Sequence, residues 1–213
     1  MQLGQKAEKV EEEDVVAVED ISSTIFGLLD DNKPEALRVT GIYGEISEEK
    51  CGDVIHHMLS LNQSGKKEDE DGNVTIEPFE FVISTWGGSA ADMFAVYDVM
   101  RMIRQKCTIK TTGLGKVMSA GVLLLASGTK GFRRIGKHCR VMLHSAASGH
   151  VGELYNLENE LEELKMTQKA YIKTLSSETD MSSSYLKKLL NKRVNVYLTA
   201  QEALDLGIVD EII

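Results

Sequence analysis

Residues 107–128 read CTIKTTGLGKVMSAGVLLLASG. The β-branched stretch from Cys107 to Thr112 suits a short strand. Gly113, Gly115 and Gly121 bracket a turn, and Val122 to Ala126 is an apolar run that reads as a helix. The same succession appears upstream. Residues 80–85, EFVIST, predict a strand, Trp86-Gly87-Gly88-Ser89 a sharp turn, and AADMFAVYDVMRMI a helix with Met93, Val96, Tyr97, Met100 and Ile103 on one stripe. Further back, LRVTGIYG (37–44) predicts a strand running into a turn. It is followed by a helix carrying Val54, Ile55, Met58 and Leu59, with Ser47 as N-cap. Downstream, RVMLH (140–144) is strand-like. Repetition of strand, glycine turn and helix predicts an α/β fold with a mainly parallel sheet. Right-handed crossovers then place the glycine turns at the carboxyl ends of strands, where ligands bind in such sheets.

Composition bounds the function. The 213 residues include 24 Lys and Arg against 33 Asp and Glu, a formal charge of −9. That balance disfavours a nucleic-acid binder, which needs a basic face. No apolar run approaches a membrane span, and the opening MQLGQKAEKVEEEDVV lacks the basic end and apolar run of a secretory signal. The three cysteines, Cys51, Cys107 and Cys139, are far apart and form no CxxC pair. This predicts buried thiols in a reducing, cytoplasmic setting rather than a disulfide frame. The five histidines form no ligand array, so neither metal nor other cofactor is expected, and no phosphate-binding GxxxxGK[ST] loop occurs.

Four segments stand outside the repeated unit. Residues 1–20 are acidic and read as a flexible segment, ahead of one domain over 21–213 in which 21–32 suit a short helix or strand. Residues 64–78 form a charged, insertion-like loop. Residues 153–176 predict a long, highly charged helix with a partial stripe of Leu154, Leu157, Leu161, Leu164, Tyr171 and Leu175, which suits a helix that projects toward another subunit. Near the end, Thr199 and Glu202 form a capping box, and Gly207 stops that helix before IVDEII.

Three strand ends supply complementary chemistry. Ser119 opens the apolar helix after one glycine turn, His144 ends the strand RVML, and Gly87-Gly88 follows FVIST. A hydroxyl, an imidazole and exposed backbone N–H groups are the set that acyl hydrolysis requires: nucleophile, general base and oxyanion donors.

With those residues in order, the chain resembles the proteolytic subunit of the Clp protease, a self-compartmentalising serine peptidase, from about Leu37 to Ile213. ISTWGG (83–88) resembles that family's oxyanion turn, GKVMSAG (115–121) its nucleophile segment, RVMLHSAASG (140–149) its histidine strand, and LTAQEALDLGIVDEII (198–213) its closing segment. The resemblance implies a spiral of β-α units of the crotonase-like type, with helix 153–176 as the projecting handle. It implies Ser119 as nucleophile, His144 as general base, and the backbone N–H groups of Gly88 and Ala120 as oxyanion hole. Gly87, Ser89, Ser145 and Ala146 would line a groove holding substrate as an extended strand. It further implies seven-membered rings stacked as fourteen, an ATP-dependent unfoldase as partner, related active subunits as further partners, and unfolded polypeptides as substrates, with no nucleic acid, membrane or cofactor.

The chain also departs from the family. The third, acidic triad position falls on Asn191 when counted back from Leu198-Thr199, or on Asn195 if the local register slips. An amide can hold the imidazole tautomer but cannot offset the imidazolium charge. Trp86 stands where the family carries proline, and Ser145-Ala146-Ala147 lacks the family's proline. A catalytically weak ring subunit acting as scaffold or modulator is therefore the alternative function. A crotonase-like acyl-CoA enzyme is a third, disfavoured by the Ser119–His144 pairing.

Overall fold

The computed structural model describes residues 37–192 and 194–213, so the expectations for segments 1–20 and 21–32 lie outside the described residues. Residues Arg38–Ile213 pack as one unit. Its central sheet begins with β1 (Val39–Ile46), which pairs in parallel with β4 (Phe79–Gly88), and β4 in turn with β5 (Ile109–Met118). Parallel pairs need crossovers, and helices α1 (Glu48–Ser64) and α2 (Ala90–Ile103) supply them. Alternation along β4 is regular: Phe79, Phe81, Ile83 and Thr85 are buried, while the residues between them are less so. Met93, Val96, Met100 and Ile103 form the buried stripe of α2, as their spacing predicts; on α1 the buried set is Cys51, Val54 and Met58, and Leu59 is exposed.

Two glycine turns read from the sequence are strand instead. β5 runs through Gly113 and Gly115, and β4 runs through Gly87 and Gly88. Between two positions of β4, Ile83 and Thr85, β5 advances from Gly113 to Val117. The extra residues form a bulge, which bends its strand. Before the bulge β5 pairs with β6 (Arg133–Ile135); after it, Lys116–Met118 pair with β7 (Arg140–Leu143). The glycines thus let one strand change neighbours without ending. Short α3 (Ala120–Ala126) follows at once, every residue of it buried.

The charged segment 64–78 holds a small hairpin that its sequence did not suggest, β2 (Lys66–Glu68) antiparallel to β3 (Val74–Ile76). The Asp69 carboxylate accepts from the Asn73 backbone at 2.8 Å and from its side chain at 3.0 Å, closing the turn. Five of the six strand residues are exposed, so no apolar alternation announced them.

Helix α4 (Leu154–Glu178) has 25 residues, about 37 Å of axis. Its buried residues are Ile172, Leu175 and Glu178, all in the last two turns. Leu154, Leu157 and Leu161 are exposed. The helix is anchored at its C-terminal end: Glu178 receives Arg104 at 3.0 Å and the Tyr97 hydroxyl at 3.0 Å, which compensates the burial of its charge. Helices α5 (Ser183–Leu190) and α6 (Ala200–Asp205), with β8 (Val196–Leu198) and β9 (Glu211–Ile212), complete the unit. Thr199 and Glu202 form the capping box, and Gly207 takes φ +68° after α6.

Candidate active site

Ser119 sits between the end of β5 and the start of α3 with φ 54° and ψ −120°. Among the described residues it is the one non-glycine with positive φ. Such a conformation costs on the order of 1–3 kcal/mol and persists where neighbours enforce it. Here the Ser119 N–H donates to Met142 O at 2.7 Å, and Ser119 O accepts from Val122 N–H at 3.0 Å and from the Tyr171 hydroxyl at 3.0 Å.

The register of β5 and β7 decides what the hydroxyl meets. Met118 pairs with Met142, so the chain beyond each strand emerges side by side. Ser119 Oγ lies 2.8 Å from His144 Nε2, although the residues are 25 apart in sequence. With the ring proton on Nδ1, Nε2 accepts the serine proton, the geometry of a general base.

The glycine pair serves close approach. A Cβ on Gly87 would stand 2.6 Å from Ser119 Cβ, and Gly87 carries φ +94°. A Cβ on Gly88, at φ +151°, would strike the Ile46 carbonyl. Glycine alone therefore lets β4 pass beneath the serine. Thr85 Oγ1 accepts from Gly87 N–H at 3.0 Å and donates to Gly44 O at 2.5 Å, tying this backbone to β1. Gly88 and Ala120 both face a cleft of about 350 Å³, together with Ser89, Ser119, His144 and Ala146. Met93, Leu164 and Leu190 add apolar wall, and Glu160 and Glu163 of α4 bring carboxylates to it.

Of the residues singled out in the sequence, Ser119 and His144 are joined directly, and Gly88, Ala120, Ser89 and Ala146 share their cleft. Gly87 is buried behind Ser119 rather than in the cleft, and Ser145 is outside its lining. Asn191 is not brought to the imidazole. It is exposed, ends α5 and makes its backbone bond to Lys187 O at 3.0 Å. β7 and β8 are antiparallel, with Val141 opposite Leu198, Met142 opposite Tyr197 and Leu143 opposite Val196. The ladder ends there, and Asn195, the residue just before β8, is exposed. This other candidate stands nearer along the chain to the residues paired with β7 than Asn191 does.

Two contributors were not identified as such from sequence. Gln168 Oε1 accepts from Ala146 N–H at 3.0 Å, fixing the segment after His144. Tyr171, which sequence spacing assigns to the apolar stripe of α4, reaches the Ser119 carbonyl. Trp86, exposed beside the glycine pair, packs its ring under Lys116 Nζ at 4.4 Å. Among the described residues no group of three or more His, Cys, Asp or Glu side chains could hold a metal, and no helix is long and apolar enough to cross a membrane.

An α/β sheet that presents a strained serine 2.8 Å from an imidazole, in a shared cleft, has the arrangement of a serine hydrolase. The family model for Clp protease matches residues 34–213, and the chain belongs to that family, as a serine-type endopeptidase. It is similar to the ATP-dependent Clp protease proteolytic subunit 2 of Corynebacterium jeikeium, 30% identical over 85% of this chain and 81% of the relative. Proteolytic subunit 1 of Bifidobacterium longum is 31% identical over 79% of this chain and 67% of its own length. The proteolytic subunit of Borreliella afzelii is 29% identical over 83% of each.

Proposed function

We propose that this chain is the core subunit of a self-compartmentalising protease that hydrolyses peptide bonds of unfolded polypeptides delivered by an ATP-driven unfoldase. The reading includes one peptidase domain over 21–213, a β-α spiral of the crotonase-like type, seven-membered rings stacked as fourteen and a cytoplasmic setting. Its main support is the 2.8 Å contact between Ser119 Oγ and His144 Nε2 at a strained strand end facing a cleft.

The chemistry follows from that contact. Ser119 Oγ attacks the scissile carbonyl as His144 takes its proton. Negative charge develops on the carbonyl oxygen, which the N–H groups of Gly88 and Ala120 stabilise. The imidazolium then protonates the leaving amine, and water repeats the sequence in reverse on the acyl-serine. Asn195 is the residue assigned to accept Nδ1–H of His144 through its amide oxygen, orienting the ring without charge; the antiparallel pairing of its neighbour Val196 with Leu143 supports this assignment. Substrate lies as an extended strand along Ser89 and Ala146, paired mainly through its backbone, so little sequence is read. The long α4 with its exposed leucines supports association between subunits.

The test is labelling by a serine-directed fluorophosphonate, alongside native mass. A ring-sized species that labels at Ser119 supports the reading. The amide at 195 favours one further reading, a weakly active ring subunit that modulates active relatives; it predicts assembly with slow labelling.

A further inference from the structure

We propose that Tyr171 is a positioning residue for the oxyanion hole, holding the Ser119–Ala120 peptide so that the Ala120 N–H faces the reacting carbonyl. The inference deepens the proposed function and rests on Ser119 as nucleophile and Ala120 N–H as oxyanion donor.

The Tyr171 hydroxyl donates to Ser119 O at 3.0 Å across 52 residues of sequence. That oxygen and the Ala120 N–H belong to one peptide group. A trans peptide is planar, with C=O and N–H pointing in opposite directions, and no cis bond occurs among the described residues. A donor that fixes the oxygen therefore fixes the direction of the N–H on the other side. The preceding Ser119 backbone at φ 54° and ψ −120° is strained, so this peptide is one that would rotate to relax. Val122 N–H also donates to Ser119 O, at 3.0 Å, but it comes from the same short turn and moves with it. Tyr171 acts from a different element, α4, whose neighbours Ile172 and Leu175 are buried in the core. Accepting a second hydrogen bond also polarises the peptide and makes its N–H a stronger donor.

The phenol is suited to this task. Burial pushes its ionisation well above the ordinary tyrosine range, so it remains a neutral donor at all working pH values. Tyr171 also lines the cleft that holds Ser119, Ala120 and His144.

The experiment uses the assembled full-length chain. Tyr171→Phe keeps the ring and leaves Val122 N–H on the carbonyl. Turnover of a short peptide ester is expected to fall about tenfold with KM unchanged, since the interaction matters most as charge develops on the substrate oxygen. Affinity for a peptide boronate, whose tetrahedral adduct occupies the oxyanion hole, should fall by a similar factor, while binding of an uncleaved peptide to Ser119→Ala should not change when Tyr171→Phe is added. Unchanged kcat and boronate affinity would overturn the proposal, as would a loss confined to KM. If Tyr171→Phe does not assemble, 3-fluorotyrosine placed at position 171 alone keeps the shape and strengthens the donor. Then kcat should rise with KM fixed, and an unchanged kcat overturns the proposal. Ser119→Ala separates the two levels. Hydrolysis that survives Ser119→Ala defeats the site itself, whereas hydrolysis lost there but unaffected by Tyr171→Phe defeats the role of Tyr171 alone.

Discussion

On the proposed mechanism, Ser119 and His144 are ordinary residue types made reactive by position. The observations behind that mechanism are the positive φ of Ser119 and its 2.8 Å contact with His144 Nε2. Ser119→Ala is expected to abolish fluorophosphonate labelling and peptide cleavage with native mass unchanged. His144→Ala should do nearly the same, because an unassisted serine hydroxyl is a poor nucleophile. On the same mechanism Asn195 limits activity, because an amide cannot offset the imidazolium charge. Asn195→Asp is expected to supply a carboxylate that stabilises the imidazolium formed as Ser119 attacks. The gain is about 1–3 kcal/mol, hence roughly tenfold or more in kcat, with KM little changed. Asn191→Asp is the control: it adds the same charge at an exposed helix end and should leave kcat within about twofold. Faster turnover in Asn191→Asp but not Asn195→Asp would show that the ladder register misplaces the partner of His144.

Helix α4 illustrates how an element can serve two environments. Its last turns are core, with Ile172 and Leu175 buried, whereas Leu157 and Leu161 lie 38% and 51% exposed three to five turns earlier. Those leucines contribute little to the isolated fold, since exposed substitutions usually change stability by about 0.5 kcal/mol or less. Their burial between subunits would contribute about 25 cal/mol per Å². Light scattering of the parent should therefore report rings or double rings. The double variant Leu157→Glu with Leu161→Glu should shift the population to smaller species while its thermal midpoint as a dissociated subunit stays the same. A parent that is a clean monomer at micromolar concentration would remove the basis for a self-compartmentalising reading.

At the scale of the whole unit, buried charge ties distant segments together. Arg133 is buried and joins β6 to the turn before β9 through Asp210, with its Nε 2.9 Å from Oδ2, and it donates to the carbonyls of Glu178 and Gly207 at 2.7 and 2.8 Å. Burial alone would raise the Asp210 carboxyl. Hydrogen bonds from the Arg133 side chain and backbone, the guanidinium charge and the Gly131 N–H outweigh it, so the group sits below the usual carboxylate range. A depressed folded-state pKa stabilises the fold above the unfolded value and is lost as pH falls through the folded value. Asp210→Asn should therefore lower the thermal midpoint at neutral pH and flatten the decline in stability on acidification below about pH 4. An acid limb identical to the parent's would show that Asp210 is not a source of that dependence.

The amino-acid order by itself determined the layered α/β architecture, because strand and helix periods are local properties: Phe79, Phe81 and Ile83 alternate, and Met93, Val96 and Met100 recur at helical spacing. It also carried the capping box at Thr199, the long charged helix and the pairing of a serine with a histidine, since each depends on a short motif or on motif order. Glycines were legible as special but not as to purpose. Gly87, Gly88, Gly113 and Gly115 read as turns, whereas they lie within strands and permit a bulge, a change of strand partner and close passage beneath Ser119. Register decided that Val196 pairs with Leu143 at the end of β7, because pairing across β7 and β8 depends on where a non-local ladder begins, and a count along the chain carries no such information. The hairpin at 66–76 escaped notice because exposed strands have no apolar alternation. Tyr171 is the fullest case: its spacing marks it as one more apolar position on a helix, and only the packing of that helix against the serine turn, 52 residues away, gives its hydroxyl a partner.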